Sequence, residues 1–366
     1  MRIGFRDARA ALLALMAGLA ACAVPAAGPP QAGRAGATAP AGASGTTSVP
    51  AASAAPTAVP APVKLSEVEP GQTVGLVVPR AGAEKGFFTQ EGLDVEFTAA
   101  PRGDTRLAAL VSGDAQIMLG TAEDVIRARD QGLRLPIVAA VLNAITYNIV
   151  AQPQFHALGD LRGGTIGVVD LTSGSSTVLF EIMRANGLEL NRDYQALVTG
   201  GASERVTALR AGVISATTLP VPDSTRVLEE GYANLGDAAD YIKEYQNSPI
   251  SVRAEWGSQN RAVLVRYLRG LLRTLDWVYT QRDEFVPIAA RLLSLEPRYA
   301  AVGWDTYTGK RVWPRDGRPT TNGLAKVIDI LAEQGTFGTN SPPQPGEFVD
   351  LSYIDEAQRT LGTGGR

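Results

Sequence analysis

The stretch Leu161-Arg162-Gly163-Gly164-Thr165-Ile166-Gly167-Val168-Val169-Asp170-Leu171-Thr172-Ser173-Gly174-Ser175-Ser176 decides how this chain is read. Thr165 to Val169 is a short apolar run of the kind that forms a buried strand. Thr172 to Ser176 then supply small polar residues, and Ser175 or Ser176 opens a helix that runs to Asn186, with Gly187 as its cap. The unit is strand, polar loop, helix. Working outward, Tyr194 to Val198 reads as a strand, Ala202 to Ala211 as a helix closed by Gly212, and Ile214 to Thr218 as another strand. The same rhythm precedes it. Val74 to Val78 is predicted as a strand, Gly82 to Thr89 as helical up to Gly92, and Leu93 to Phe97 as the next strand. Asp104 to Val111 places Leu107, Ala108, Leu110 and Val111 on one helix face, and Gly113 stops it. Ile117 to Leu119 is a strand, Thr121 is the N-cap of a helix ending at Gly132, and Ile137 to Leu142 is a buried strand.

Alternation at this spacing predicts an α/β fold in two lobes, each a parallel sheet with helices on both faces. Beyond the second lobe the pattern becomes helical, over Gln259 to Thr280, Glu284 to Leu293 and Asn322 to Gln334. No repeat of solenoid period occurs. The aromatic stretch Trp304 to Trp313 has no chemistry the sequence assigns. It is placed either over a cleft or on the back of the first lobe.

The N-terminal region is of another kind. Arg2, Arg6 and Arg9 precede an apolar run from Ala10 to Ala21, the layout of a secretory signal too short to span a bilayer as a helix. Leu19-Ala20-Ala21-Cys22 contains the only cysteine of the chain and resembles the lipobox of bacterial lipoproteins, which implies cleavage before Cys22 and acylation there. Ala23 to Ala61 is almost entirely Ala, Pro, Gly, Ser and Thr with Arg34 the only charge, so it is expected to be a disordered spacer. The organisation expected is a signal peptide over 1–21, anchor and linker over 22–63, the first part of lobe one over 64–150, lobe two over 151–248, and the completion of lobe one with a helical tail over 249–366.

The formal charge is −3, and loss of three Arg and one Asp with the leader leaves 31 basic against 36 acidic residues. No basic surplus exists to collect phosphates, which argues against nucleic acid as a partner. With its one thiol in the lipobox, the exported body has no disulfide and relies on its core.

Three segments carry a resemblance. Leu161 to Val168 followed by Gly174-Ser175-Ser176, Gly200-Gly201-Ala202-Ser203-Glu204-Arg205-Val206-Thr207-Ala208-Leu209-Arg210-Ala211-Gly212, and Glu84-Lys85-Gly86-Phe87-Phe88-Thr89-Gln90-Glu91-Gly92-Leu93-Asp94-Val95-Glu96 resemble, in order, segments of ABC-transporter substrate-binding proteins of the sulfonate, taurine, nitrate and thiamine-precursor group. Ser215-Ala216 departs from that group's usual Asp-Ala. The resemblance implies a two-lobed periplasmic-binding-protein type II fold with two crossing strands, near Thr146 to Ala151 and Ser248 to Arg253, and boundary prolines Pro153 and Pro249. It implies an extracytoplasmic, membrane-anchored, monomeric receptor that delivers a small organic acid, sulfonate or heterocycle to an ABC permease, with no cofactor. A lipoprotein that senses its ligand without transport is the alternative in another class.

Thr172 to Ser176 lie where a strand meets a helix N-terminus, so their amides and hydroxyls can receive a carboxylate, sulfonate or ring oxygen. Ser173, Gly174, Ser175 and Ser176 are therefore candidate ligand-binding residues, with capping as their ordinary role. Thr121 and Ala122 occupy the equivalent loop of lobe one, beside Glu123 and Asp124, which oppose an anion unless they point away. Arg80 is the cationic candidate, and Asn143, Tyr147 and Asn148 can add amide and ring contacts. Pyrimidine-forming enzymes of thiamine synthesis share the implied fold but need histidine and a cysteine-rich stretch. This chain has His156 alone and no HExxH, paired CxxC, Walker loop or GxSxG, so no catalytic residue is assigned.

Overall fold

The computed structural model describes residues 61–361 apart from Gln72; the expected leader, Cys22 and the spacer up to Pro60 lie outside the described residues. Its strands are β1 (Val63–Glu69), β2 (Leu93–Ala99), β3 (Ile117–Leu119), β4 (Ile137–Leu142), β5 (Tyr147–Ala151), β6 (Thr165–Val168), β7 (Gln195–Val198), β8 (Ala216–Pro220), β9 (Ala233–Asp237) and β10 (Ser248–Val252). They form two five-stranded sheets, ordered β2-β1-β3-β10-β4 and β7-β6-β8-β5-β9. The expected α/β class with two sheets is what the chain adopts.

Neither sheet is wholly parallel. β1 runs parallel to β2 and β3, and β6 parallel to β7 and β8. β10 is antiparallel to β3 and β4, and β5 is antiparallel to β8 and β9. These two strands are the segments expected to cross between lobes. Each is instead a full member of one sheet, and the chain passes between sheets in the short segments 143–146 and 242–247. Pro249 sits inside β10, where the register shifts and no ladder donor is needed.

The expected strand at Val74 to Val78 is a turn followed by the helix Val78–Glu84, with Pro79 in its first turn. The first strand lies upstream, at β1. Its pattern is disguised by Glu67 and Glu69, which are only 0 % and 1 % exposed. The Tyr267 hydroxyl donates to Glu67 Oε2 at 2.6 Å, and Arg80 Nε donates to Glu69 Oε1 at 2.8 Å. Each carboxyl keeps one oxygen without a partner. Burial pushes both upward, and the neighbouring Glu69 charge pushes Glu67 further.

Three cores hold the body together. Leu65, Ile117, Leu119 and Ile250 face a layer built by the helices Arg261–Thr280, Arg282–Leu292, Pro297–Gly309 and Ser352–Leu361. Alternate residues of β1 and β3, Val68 and Met118, share a second core with Ile137 of β4 and with Ile149, Ile166 and Val168 of the other sheet. The helices Ala122–Asp130, Gly174–Ala185 and Thr321–Glu333 complete it. The third covers the far face of the second sheet with Val206, Leu209 and Val227. Within the first core Trp313 stacks on Tyr307 at 5.1 Å, so the aromatic stretch is in part structural.

Candidate ligand-binding cleft

A cleft of about 440 Å³ lies where loops from both sheets meet. One wall comes from the turn after β1, with Gly71, Thr73, Val74 and Leu76, together with Arg106 and Thr121. The opposite wall comes from Val169 and Ser173–Ser175 after β6, Gly201–Arg205 after β7, and Pro222, Asp223 and Arg226 after β8. These loops follow the C-terminal ends of parallel strands, where open α/β sheets leave their crevices. Thr146, Tyr147, Asn247 and Ser248 form the floor at the two passages between sheets. Asn247 ties those passages together, donating to the Ala144 carbonyl at 3.0 Å and accepting from the Tyr147 hydroxyl at 3.4 Å.

Of the residues singled out in the sequence, Thr121, Tyr147, Ser173, Gly174 and Ser175 line this cleft. Arg80, Ala122, Asn143 and Ser176 are not among the lining residues. Arg80 is held by Glu69 and lies 5.3 Å from the Phe97 ring centre. Ala122 is packed in the second core, and Asn143 donates to the Arg318 carbonyl at 2.7 Å. Ser176 is buried with its hydroxyl 2.9 Å from that of Ser173. Asn148 turns to β9 and the Ser224 hydroxyl.

The helix Gly174–Ala185 starts without a side-chain cap, because the Ser173 hydroxyl is engaged by Ser176. Of the four amides a helix start leaves open, those of Gly174, Ser175 and Ser176 therefore stay available, while that of Ser173 is held by the loop before it. Asp170 fixes the preceding loop by accepting from the amides of Thr172 and Ser173 at 2.7 and 2.6 Å. Across the cleft, Thr121 caps its own helix in a reciprocal arrangement with Asp124.

Both acids that threatened an anion have a partner, although among the described residues Glu123 Oε2 has none. Asp124 accepts from Arg106 at 2.7 Å, and Glu123 accepts from the Tyr245 hydroxyl. Glu123 is fully buried, and burial raises its pKa despite that hydrogen bond. A side chain at Gly174 would come within 3.1 Å of its Oε2, so glycine lets the two walls approach closely.

Arg205 is the residue the sequence reading passed over. It is 4 % exposed, and among the described residues its Nη1 reaches only the Ser175 hydroxyl, at 3.5 Å. Its helix, Ala202–Arg210, buries Arg205 with Val206 and Leu209 on one face, a spacing that was visible in the sequence. Burial draws the guanidinium down to about 10, so it stays charged. Asp223 is shifted upward, again chiefly by burial.

A larger groove of about 980 Å³ is lined by residues of 111–136, 253–258 and 347–353. It contains no sequence-predicted residue, and its Arg129, Arg134 and Arg253 are balanced by Glu255, Glu347 and Asp350. Among the described residues no cluster of three or more His, Cys, Asp or Glu could hold a metal ion. His156 is exposed on a loop whose amides donate to Asp160. No helix of the described residues is long and apolar enough to cross a membrane.

The family described as NMT1/THI5 like matches residues 78–285. A formylaminopyrimidine-binding protein of Halalkalibacterium halodurans is 24 % identical over 55 % of this chain, and the chain spans 62 % of that relative's length. Among solved structures, the ligand-binding component of an ABC-type import system from Staphylococcus aureus aligns with a TM-score of 0.65 at 16 % identity, covering 81 % of this chain and 99 % of the other. The alkanesulfonate-binding protein SsuA from Xanthomonas axonopodis gives 0.61 at 16 % identity, over 82 % and 99 %. The desulfurization enzyme DszB gives 0.62 at 13 %, over 81 % and 99 %. At these identities the alignments establish a common fold, which binding proteins and an enzyme share.

Proposed function

The chain belongs to the NMT1/THI5-like family, and from that premise we propose that it is an extracytoplasmic solute-binding receptor that captures a small organic ligand between two lobes and presents it to an ABC permease. The observation that carries this reading is the cleft itself, walled by strand-end loops of both sheets and furnished with hydroxyls, amides and a buried guanidinium that has no ion pair among the described residues. Such groups recognise a solute and leave its bonds intact; DszB shows only that the fold can be adapted to chemistry. The import-system component and the sulfonate- and pyrimidine-binding relatives support the same class of work.

In this proposal residues 63–142 and 248–361 form one lobe and 147–241 the other. The segments 143–146 and 242–247 are the hinge, and ligand favours the closed form that a permease recognises. Thr121, Tyr147 and Ser173–Ser175 contact the solute. Cys22 carries the lipid that holds the receptor at the outer face of a membrane, and Cys22→Ser should release it into the soluble fraction; retention with normal processing would remove the anchor. Native mass spectrometry of protein purified without denaturation tests the receptor reading. A bound small molecule lost on denaturation supports it, whereas a chain that carries none and takes up none from a cell extract refutes it.

A further inference from the structure

We propose that Arg205 anchors the solute by gripping an oxyanion where two helix N-termini meet, an assignment that rests on the receptor reading above. The guanidinium is buried, and among the described residues its Nε has no hydrogen-bond acceptor. Among the described residues no carboxylate forms an ion pair with it; Asp223, Glu204 and Asp170 act only at longer range. Arg106, the other buried arginine of the cleft, also leaves its Nε without an acceptor among the described residues, but it has a counter-charge: Asp124 and the carbonyls of Ala100 and Pro101 hold its other nitrogens at 2.7 Å. A buried charge without a partner is strongly unfavourable, and a ligand that supplies the missing counter-charge recovers that energy on binding.

The surroundings specify the shape of the missing group. Arg205 sits in the first turn of the helix Ala202–Arg210, beside the start of the twelve-residue helix Gly174–Ala185, and Ser173, Gly174, Ser175 and Arg205 all line the cleft. A fork of N–H donors next to free first-turn amides suits a carboxylate, sulfonate or phosphate, which share several acceptor oxygens and a negative charge. All of these donors belong to the wall built on the second sheet. The opposing wall offers Thr73, Thr121, Val74, Leu76 and an Arg106 already neutralised. The charged end of the solute therefore docks on the second-sheet side first, and the other wall closes over its remainder.

Calorimetric titration of the full chain with propane-1-sulfonate, butanoate, propyl phosphate and the uncharged butanamide tests the assignment and separates the three oxyanions. At least one of them should bind, with butanamide about tenfold or more weaker; Arg205→Lys should lose about tenfold and Arg205→Gln about a hundredfold at unchanged melting temperature. Arg205→Lys keeps the charge, so it still tests the fork geometry should the Gln variant not fold. Wild-type affinity in either variant, butanamide binding as tightly as the acids, or no binding of any oxyanion at millimolar concentration overturns the anchor. A neutral solute held equally by wild type and Arg205→Gln in native mass spectrometry would overturn the anchor while leaving solute capture standing.

Discussion

Glu67→Gln should stabilise the protein at neutral and alkaline pH while leaving it nearly unchanged below pH 5. Burial, reinforced by the Glu69 charge and only partly offset by the Tyr267 hydrogen bond and Arg80, lifts the Glu67 carboxyl from 4.5 to about 8. Between those values the folded state holds a proton that the unfolded chain has released, so the unfolded state binds fewer protons and stability falls as pH rises. Each pH unit in that window removes about 1.4 kcal/mol, which amounts to roughly 3 kcal/mol at pH 7 and about 4 at pH 8. Glutamine keeps the size and the acceptor for the Tyr267 hydroxyl but cannot ionise, so the variant should lose this part of the slope. Some slope should remain, because Glu69, raised to about 7, titrates in the same direction. Urea unfolding at pH 5, 6, 7 and 8 measures the effect through the difference in midpoint at constant m-value. Wild-type stability that is flat from pH 5 to 8, or a variant whose slope equals that of wild type, would refute a proton held at Glu67.

Other substitutions probe the frame around the cleft. A Cβ at Gly323 would stand 2.6 Å from the backbone of Tyr245 and Gln246, in the second passage between the sheets, so Gly323→Ala should destabilise by about 1–3 kcal/mol in thermal unfolding. Trp313→Ala removes a fully buried ring that stacks on Tyr307 and donates to the Gly75 carbonyl at 2.9 Å. It should cost about 3–5 kcal/mol and loosen the Thr73–Leu76 turn, which a fall in solute affinity beyond that of other core variants would reveal.

Much of the fold was legible because its elements obey single-period rules. β3 and β4 were read at their observed bounds, since short continuous apolar runs between turn residues have few alternatives. β1 was not, because two buried carboxylates interrupt its pattern and only Tyr267 and Arg80, distant in sequence or on the next helix, make them tolerable. β5 and β10 were found as segments but assigned to the crossing, since pairing partners far along the chain leave no local mark. The cleft was partly legible. Ser173–Ser175 and Thr121 announce themselves by preceding helices. Arg80 looked available only because its partner Glu69 belonged to an unrecognised strand, and Arg205 was read only as part of a family-like helix, although its spacing to Leu209 marks the buried face.

β10 fills the place between β3 and β4, although every strand of the second sheet intervenes in sequence. During synthesis from the N-terminus, β3 and β4 each keep an unpaired edge until Val252 has been made, and open edges recruit stray strands. The second sheet can be completed while the first still waits, so the first-begun half of the molecule is the last to close. Chains released before that residue should be the ones that aggregate, and a chaperone would find its work there.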